Sequence, residues 1–170
     1  MSKLLIVIPA HNEEDNIVQV VEDLTSHYPE YDYIVVNDGS RDKTAAICRA
    51  HGYHLIDLPI NLGLAGAFQT GLRYAADNGY DCAMQMDADG QHYASDLPRF
   101  LQANINHPGS LIVGSRQFGD AVRSKGSVFA NRLSNFWFFV QTGRRLPDTQ
   151  TGFRLYPLRR LHFLSLLTTA

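Results

Sequence analysis

Along residues 1–115, unbroken apolar runs alternate with longer stretches whose apolar positions recur at helical spacing. Lys3 to Ile8 (KLLIVI) reads as a strand buried on both faces, because it carries no polar position after its first residue. Glu13 to His27 reads as a helix with acidic residues in its first turn, where the helix dipole favours them. Tyr31 to Val36 (YDYIVV) is a second strand, Asn37-Asp38-Gly39-Ser40 a turn, and Arg41 to Ala50 a second helix. Tyr53 to Leu58 is a short third strand. Leu64 to Asn78 is a third helix closed by Gly79, and Asp81 to Met86 a fourth strand. Asp96 to Asn106 is a fourth helix with Pro98 in its first turn, followed by a strand at Ser110 to Val113. After residue 115 the alternation is lost. Ser127 to Gln141 reads as a helix and Thr151 to Tyr156 as a short strand.

Strands alternating with helices of this length predict an α/β fold: a mostly parallel, Rossmann-like sheet flanked by helices on both faces. In such sheets ligands bind beyond the carboxyl ends of the strands. The polar motifs follow the strands: His11-Asn12 after the first, Asn37-Asp38-Gly39 after the second, Asn61-Leu62-Gly63 after the third and Asp87-Ala88-Asp89 after the fourth. Four strand ends are therefore expected to converge on one cleft.

Composition adds limits. The 170 residues suit one domain, 1–170, that is 45% hydrophobic and 19% charged, ordinary for a globular chain with one core. The first residues, MSKLLIVIPA, have too short an apolar run for a signal peptide, and no stretch approaches the ~20 apolar residues of a membrane span. Cys48 and Cys82 lack metal-ligand spacing and read as reduced core residues, so a cytoplasmic protein is expected. The net charge of −2 makes nucleic-acid binding a poor fit. It also conceals an asymmetry. Residues 1–115 carry 6 Lys+Arg against 15 Asp+Glu, a balance of −9, and residues 116–170 carry 9 against 2, a balance of +7. That suits one half holding a cation and the other an anion, or simply a solvated surface.

Asp87 and Asp89 are the most informative pair. Residues two apart on a strand point the same way, so both carboxylates would face one spot. The tripeptide alone reads as a surface turn. Its place after a buried strand, with Gln91-His92 beside it, adds weight to a second reading beside the turn: a hard divalent cation that keeps waters and takes other ligands from a phosphate. Mg²⁺ or Mn²⁺ fits that set, and Zn²⁺ would want more His or Cys. The first strand is followed by PAHNEE rather than G-x-G-x-x-G, so a dinucleotide-dependent oxidoreductase is disfavoured.

Five motifs in order, VIPAHNEEDNI (7–17), IVVNDGSRDKT (34–44), NLGLAGAFQTGLRYA (61–75), QMDADGQH (85–92) and DTQTGFRLY (148–156), carry a resemblance. Together they resemble the family-2 glycosyltransferases of the GT-A fold, and within them the dolichyl- and polyprenyl-phosphate sugar transferases. The resemblance implies a metal-dependent, inverting transfer from a UDP- or GDP-linked sugar to a polyprenyl phosphate, with Mg²⁺ or Mn²⁺ as cofactor. It implies Asp89 as direct metal ligand, Asp87 at the ribose or the metal shell, and Gln91 completing that shell, with Ala88 between the two acids. Pro9, Ala10, Asn12, Glu14 and Asp38 would line the nucleotide pocket, and Gly63 and Gly66 would let backbone approach the nucleotide. The sequence departs from the family at Asn37, where an acid is frequent, and near Leu64, where many relatives carry a Lys.

By the same resemblance residues 1–115 are the nucleotide-sugar half and residues 116–170 the acceptor half. Arg116, Arg123 and Arg132 would hold the acceptor phosphate, for which the planar guanidinium is suited, and Arg154 would lie near the phosphates. Asp148 has two readings: general base for a glycan or other hydroxyl acceptor, or an orienting group if the acceptor is an already ionised phosphate. The aromatic run VFANRLSNFWFFV (128–140) reads either as core or as a helix resting on a membrane surface at the inner face. Relatives continue beyond this point, so the acceptor half is expected to be incomplete. A nucleotide-sugar binding module without turnover is the contrasting expectation.

Overall fold

A computed structural model describes residues 3–88, 97–114, 140, 143 and 153–158. The elements are β1 (Leu4–Ala10), α1 (Ile17–His27), β2 (Asp32–Asp38), α2 (Thr44–Ala50), β3 (Leu55–Leu58), α3 (Gly63–Asp77), β4 (Cys82–Gln85), α4 (Leu97–Asn106), β5 (Ile112–Val113) and β6 (Arg154–Pro157). The expected helix at 127–141 lies outside the described residues except for Val140.

The sheet order is β3-β2-β1-β4-β6-β5. β1 is parallel to β2 and β4, β2 is parallel to β3, and β6 runs antiparallel to β4. The mostly parallel α/β sheet expected from the alternation is thus present. β1 lies at its centre and every one of its residues is buried, which is why KLLIVI shows no polar alternation. β1 runs two residues further than expected, through Pro9 and Ala10. The Val7 carbonyl accepts from the Met86 amide, so Val7 points its backbone groups at β4. Pro9, two residues on, points the same way but lies beyond the last β1–β4 pair, Val7 with Gln85. Its missing N–H faces no strand.

β2 also outruns its expectation. The turn expected at Asn37-Asp38 gives way to strand: both are residues of β2, paired with Asp57 and Leu58 of β3 and only 2% and 3% exposed. Turn-forming residue types yielded here to sheet pairing and burial. Both early helices begin late. The Glu13 amide donates to Thr44 Oγ1 (2.9 Å), the Glu14 amide to Asp42 Oδ2 (3.1 Å), and the Lys43 amide to Glu14 Oε2 (2.9 Å). These bonds tie the loop after β1 to the loop after β2. They draw residues 13–16 and 41–43 out of helical geometry, so no acid lies in the first turn of α1, contrary to expectation.

Strand alternation sorts the core into two layers. Leu4, Ile6, Ile8 and Val35 pack with Ile17, Val21 and Leu24 of α1 and with Phe100, Phe153 and Leu155. Leu5, Val7, Ile34, Val36 and Ala83 pack on the other face with Ala67, Phe68 and Ala75 of α3. Gly71 lets α3 approach β1: a Cβ there would overlap the Val7 side chain. Cys48 and Cys82 are free and buried, and burial pushes the Cys82 thiol up to about 11. The chain forms two compact units, residues 1–112 with 153–170, and residues 113–152. Among the described residues no helix is long and apolar enough to cross a membrane.

Candidate functional site

The parallel strands put the carboxyl ends of β1, β2, β3 and β4 on one edge of the sheet. β6, running the other way, brings its first residue, Arg154, to that edge opposite Gln85. Alternation then decides the face. Val36 and Ala83 pack on the α3 side, so Asp38 and Gln85, two residues further along, point to that side as well. Met86 and Ala88 pack on the opposite side, which turns Asp87 toward the α3 face. Asp38, Gln85, Asp87 and Arg154 therefore share one face and one edge, with the N-terminus of α3 beside them.

Asp38 is held by the loop before α3, and Asp87 by its neighbour on β4. Asp38 Oδ1 accepts the Leu62 amide at 2.7 Å. No other described hydrogen bond reaches this carboxylate, which is 3% exposed. Gln85 is 6% exposed and donates through Nε2 to Asp87 Oδ1 at 2.9 Å, which fixes the carboxylate at the end of β4. Gly39 (φ 59°) permits the close approach of two loops: a Cβ there would lie 2.6 Å from the Asn61 amide nitrogen. Gly63 (φ 77°) opens α3 with free space where its Cβ would be, and its amide donates to Asn61 Oδ1 at 2.9 Å. Gly66, by contrast, meets its own preceding turn at Leu62 Cβ.

The loop after β1 turns on Asn12, which holds a positive φ of 58°, a conformation that Asn tolerates better than most residues. Its amide donates to Ser40 Oγ, its Oδ1 accepts the Arg41 amide, and its Nδ2 donates to His11 Nε2 at 3.1 Å. His11 Nδ1 lies 2.8 Å from the Asp38 carbonyl oxygen. Asn12 therefore stitches two loops, and Glu14 is committed to the same stitching through Lys43 and Asp42. Pro9 is buried and the Ala10 methyl lies in the core, which leaves their backbone as the part able to border a pocket. Ala88 is likewise 2% exposed.

Asp89, Gln91, Arg116, Arg123, Arg132 and Asp148 lie outside the described residues. Among the described residues no three His, Cys, Asp or Glu side chains gather as a metal cage. Asp87, a half-buried carboxylate oriented by an amide, fits a hard cation that takes few protein ligands. The residues that tie the site together, His11, Ser40, Asn61 and Gln85, carry no charge to mark them. Their sequence signal is position, at or shortly after the carboxyl end of a strand.

The family described as glycosyl transferase family 2 matches residues 5–160. Undecaprenyl-phosphate mannosyltransferase of Micrococcus luteus is 30% identical over 96% of this chain and 70% of its own length. UDP-N-acetylglucosamine–dolichyl-phosphate N-acetylglucosaminyltransferase of Methanococcus voltae is 32% identical over 95% of this chain and 72% of its own. Glucosyl-3-phosphoglycerate synthase from Mycobacterium tuberculosis, solved with Mn²⁺, UDP-glucose and phosphoglyceric acid, superposes with a TM-score of 0.72 at 18% identity, over 94% of this chain. The chain spans 58% of that structure's length. The fold is that of the GT-A glycosyltransferases, and the chain belongs to glycosyl transferase family 2.

Proposed function

We propose that the chain transfers a sugar from a nucleoside-diphosphate sugar to a polyprenyl phosphate. The observation that carries this is the placement of Asp38 and Asp87 on one face, at the ends of β2 and β4 with β1 between them. Two strand spacings separate the strands by roughly 10 Å. A nucleoside diphosphate lying across the end of β1 spans such a gap, its base at Asp38 and its diphosphate at Asp87. The names of the relatives from Micrococcus luteus and Methanococcus voltae supply the acceptor class.

In this reading Asp38 Oδ2 accepts an N–H of the base while the Leu62 amide holds Oδ1. Asp87 and Asp89, with Gln91, hold Mg²⁺ or Mn²⁺. When bound, the cation supplies Lewis-acid stabilisation of the diphosphate leaving group. Arg116, Arg123 and Arg132 hold the acceptor phosphate so that one of its oxygens lies in line with the bond from the anomeric carbon to the diphosphate. The new carbon–oxygen bond forms as the old one breaks, the electron pair leaves with the nucleoside diphosphate, and the anomeric configuration inverts. The acceptor phosphate is ionised near neutral pH, so Asp148 orients rather than deprotonates. Arg154, opposite Gln85, adds positive charge near the phosphates.

The test couples binding to turnover. Thermal melting with UDP, GDP and their sugars, with and without Mn²⁺, is expected to show one nucleotide raising Tm only when metal is present. Saturation at ~100 times the dissociation constant corresponds to about 2.7 kcal/mol. Incubation of that donor, radiolabelled, with a polyprenyl phosphate should then yield labelled lipid, and Asp87→Ala should lose both effects. Metal-dependent binding with no transfer to any lipid phosphate would leave a binding module in place of an enzyme. Transfer to a hydroxyl acceptor that Asp148→Asn abolishes would replace the lipid acceptor with a glycan.

A further inference from the structure

Three loops meet at the His11 ring. Its Nδ1 lies 2.8 Å from the Asp38 carbonyl oxygen at the end of β2 and 3.0 Å from Asn61 Nδ2 in the loop before α3. Its Nε2 lies 3.1 Å from Asn12 Nδ2 in the loop after β1. The neighbours decide where the ring carries its proton. Asn12 Oδ1 accepts the Arg41 amide, so Nδ2 is the end that Asn12 turns to His11, and Nε2 must accept. The Asp38 carbonyl can only accept, so Nδ1 must donate. One form of the ring satisfies both contacts, the neutral Nδ1–H tautomer. The other neutral tautomer would set a lone pair against the Asp38 carbonyl and an N–H against the Asn12 amide. Asn61 Oδ1 accepts the Gly63 amide and leaves Nδ2 toward Nδ1–H, so that contact is a close approach and not a bond.

A second proton breaks this arrangement at one place. On the imidazolium, Nδ1–H still reaches the Asp38 carbonyl, but Nε2–H faces the Asn12 amide hydrogens. Turning the Asn12 amide over would offer Oδ1 to Nε2–H and set Nδ2 against the Arg41 amide. Either orientation leaves one donor without its acceptor. The ring is exposed, so solvent protons reach it. The acids of the neighbouring loops are committed elsewhere. Glu13 accepts from Asn16, Glu14 from the Lys43 amide, Asp42 from Thr44 and the Glu14 amide, Asp38 from the Leu62 amide and Asp87 from Gln85. Arg41 and Lys43 are cations like the protonated ring, and residues 58–72, before and within α3, include no ionisable side chain. Asp38 carries the effect to the donor edge, because its carbonyl holds His11 while its carboxylate holds the Leu62 amide.

We propose that His11 is a positioning residue and an acid-sensitive lock. As the neutral Nδ1–H tautomer it fixes Asn12 and the Asp38 main chain at the carboxyl edge, and a proton on Nε2 releases them. The lock belongs to the unliganded chain; its consequence, a weaker hold on the donor in acid, rests on the nucleotide-donor reading above. An imidazole changes charge between about pH 5 and pH 8, so the lock is closed at the upper end and opens toward the lower.

Two measurements on the whole chain test this. Long-range ¹⁵N–¹H correlation of the imidazole at about pH 8, without ligand, is expected to show Nδ1 protonated and Nε2 bare. Calorimetry with UDP and GDP in Mn²⁺ then compares the wild type with His11→Asn. That variant's amide can still donate to the Asp38 carbonyl, but it offers Asn12 no ring nitrogen and does not titrate. The wild type should bind the favoured nucleotide about threefold to tenfold more tightly at about pH 8, the worth of one hydrogen bond, and the two should converge at about pH 5.5. Comparing the two proteins at each pH cancels the protonation of nucleotide and metal ligands, which both share. A ring protonated at Nε2 at about pH 8 would overturn the lock. So would a wild-type advantage that stays constant or grows in acid. Should His11→Asn not fold, the Asn12 side-chain amide resonances of the wild type must shift as Nε2 takes its proton, and unchanged resonances would overturn the lock as well. Binding of neither nucleotide at any pH would sink the nucleotide-donor reading and leave the lock to be judged by the ring and Asn12 resonances alone.

Discussion

Asn37 is where residue chemistry and backbone context disagree most. It is 2% exposed, donates through Nδ2 to Asp57 Oδ1 at 2.6 Å, and its Oδ1 is buried with no hydrogen-bond partner among the described residues. Asp57 is also engaged by the Arg49 guanidinium. As a sequence feature, Asn-Asp-Gly signals a turn. The signal fails because β3 pairs with β2 up to Asp38, and pairing buries whatever side chain points inward. The amide is well matched to Asp57, whereas a second carboxylate would not be. Asn37→Asp is expected to destabilise the fold by about 1–3 kcal/mol, from the lost donor and from like charges at a buried position. For a domain of this size each kcal/mol moves Tm by roughly 2–4 °C. The double variant Asn37→Asp with Asp57→Asn restores one donor facing one acceptor and should recover part of the loss. A single variant that melts with the wild type would show that the carboxyl keeps its proton or that the site relaxes.

Among the elements, the helix starts were the least legible part of the chain, and the reason is local. Periodicity locates the apolar stripe of a helix but says nothing of which backbone amides are taken by side chains of another loop. Glu13, Glu14 and Lys43 spend their amides between loops and Thr44 donates its own back to Asp42, so α1 and α2 begin three or four residues after the pattern does. Asp42 is the hub. Burial pushes its carboxyl up, but bonds from the Thr44 hydroxyl and from the Thr44 and Glu14 amides outweigh that and hold it below the ordinary value. A depressed folded pKa means a contribution fully present above the unfolded value near ~3.9 and lost as pH falls through the folded one. Stability should therefore fall with acid more steeply in the wild type than in Asp42→Asn, when Tm is followed between about pH 5 and pH 2. Parallel curves would remove Asp42 from this role. The contact of α3 with β1 makes a second prediction. Gly71→Ala forces a methyl into Val7 and should cost about 1–3 kcal/mol, read as a lower urea midpoint with unchanged slope.

At the scale of the whole molecule, legibility follows the sheet. The alternation of buried strands and amphipathic helices placed β1 to β4 and their carboxyl edge within reach of sequence reasoning, while the shared face of Asp38 and Asp87 follows from the packing of Val36, Met86 and Ala88. What stayed hidden was the return of the chain: β6 joins β4 antiparallel, and nothing in FRLY distinguishes an antiparallel neighbour from a parallel one. The charge asymmetry offers a way to separate the two halves in solution. If the −9 half binds the donor through Asp38 and Asp87 and the arginines of the +7 half hold the acceptor phosphate, the two steps depend on different charges. The triple variant Arg116→Ala, Arg123→Ala and Arg132→Ala should then keep the metal-dependent rise in Tm with the donor nucleotide. Its transfer to a polyprenyl phosphate should drop by about a hundredfold or more, since charge-assisted bonds to phosphate are each worth about 1.5–3 kcal/mol. Added salt should slow the wild type's transfer by screening those contacts. A variant that loses donor stabilisation as well would move at least one of these arginines into the nucleotide site, and the boundary between the halves would have to be redrawn there.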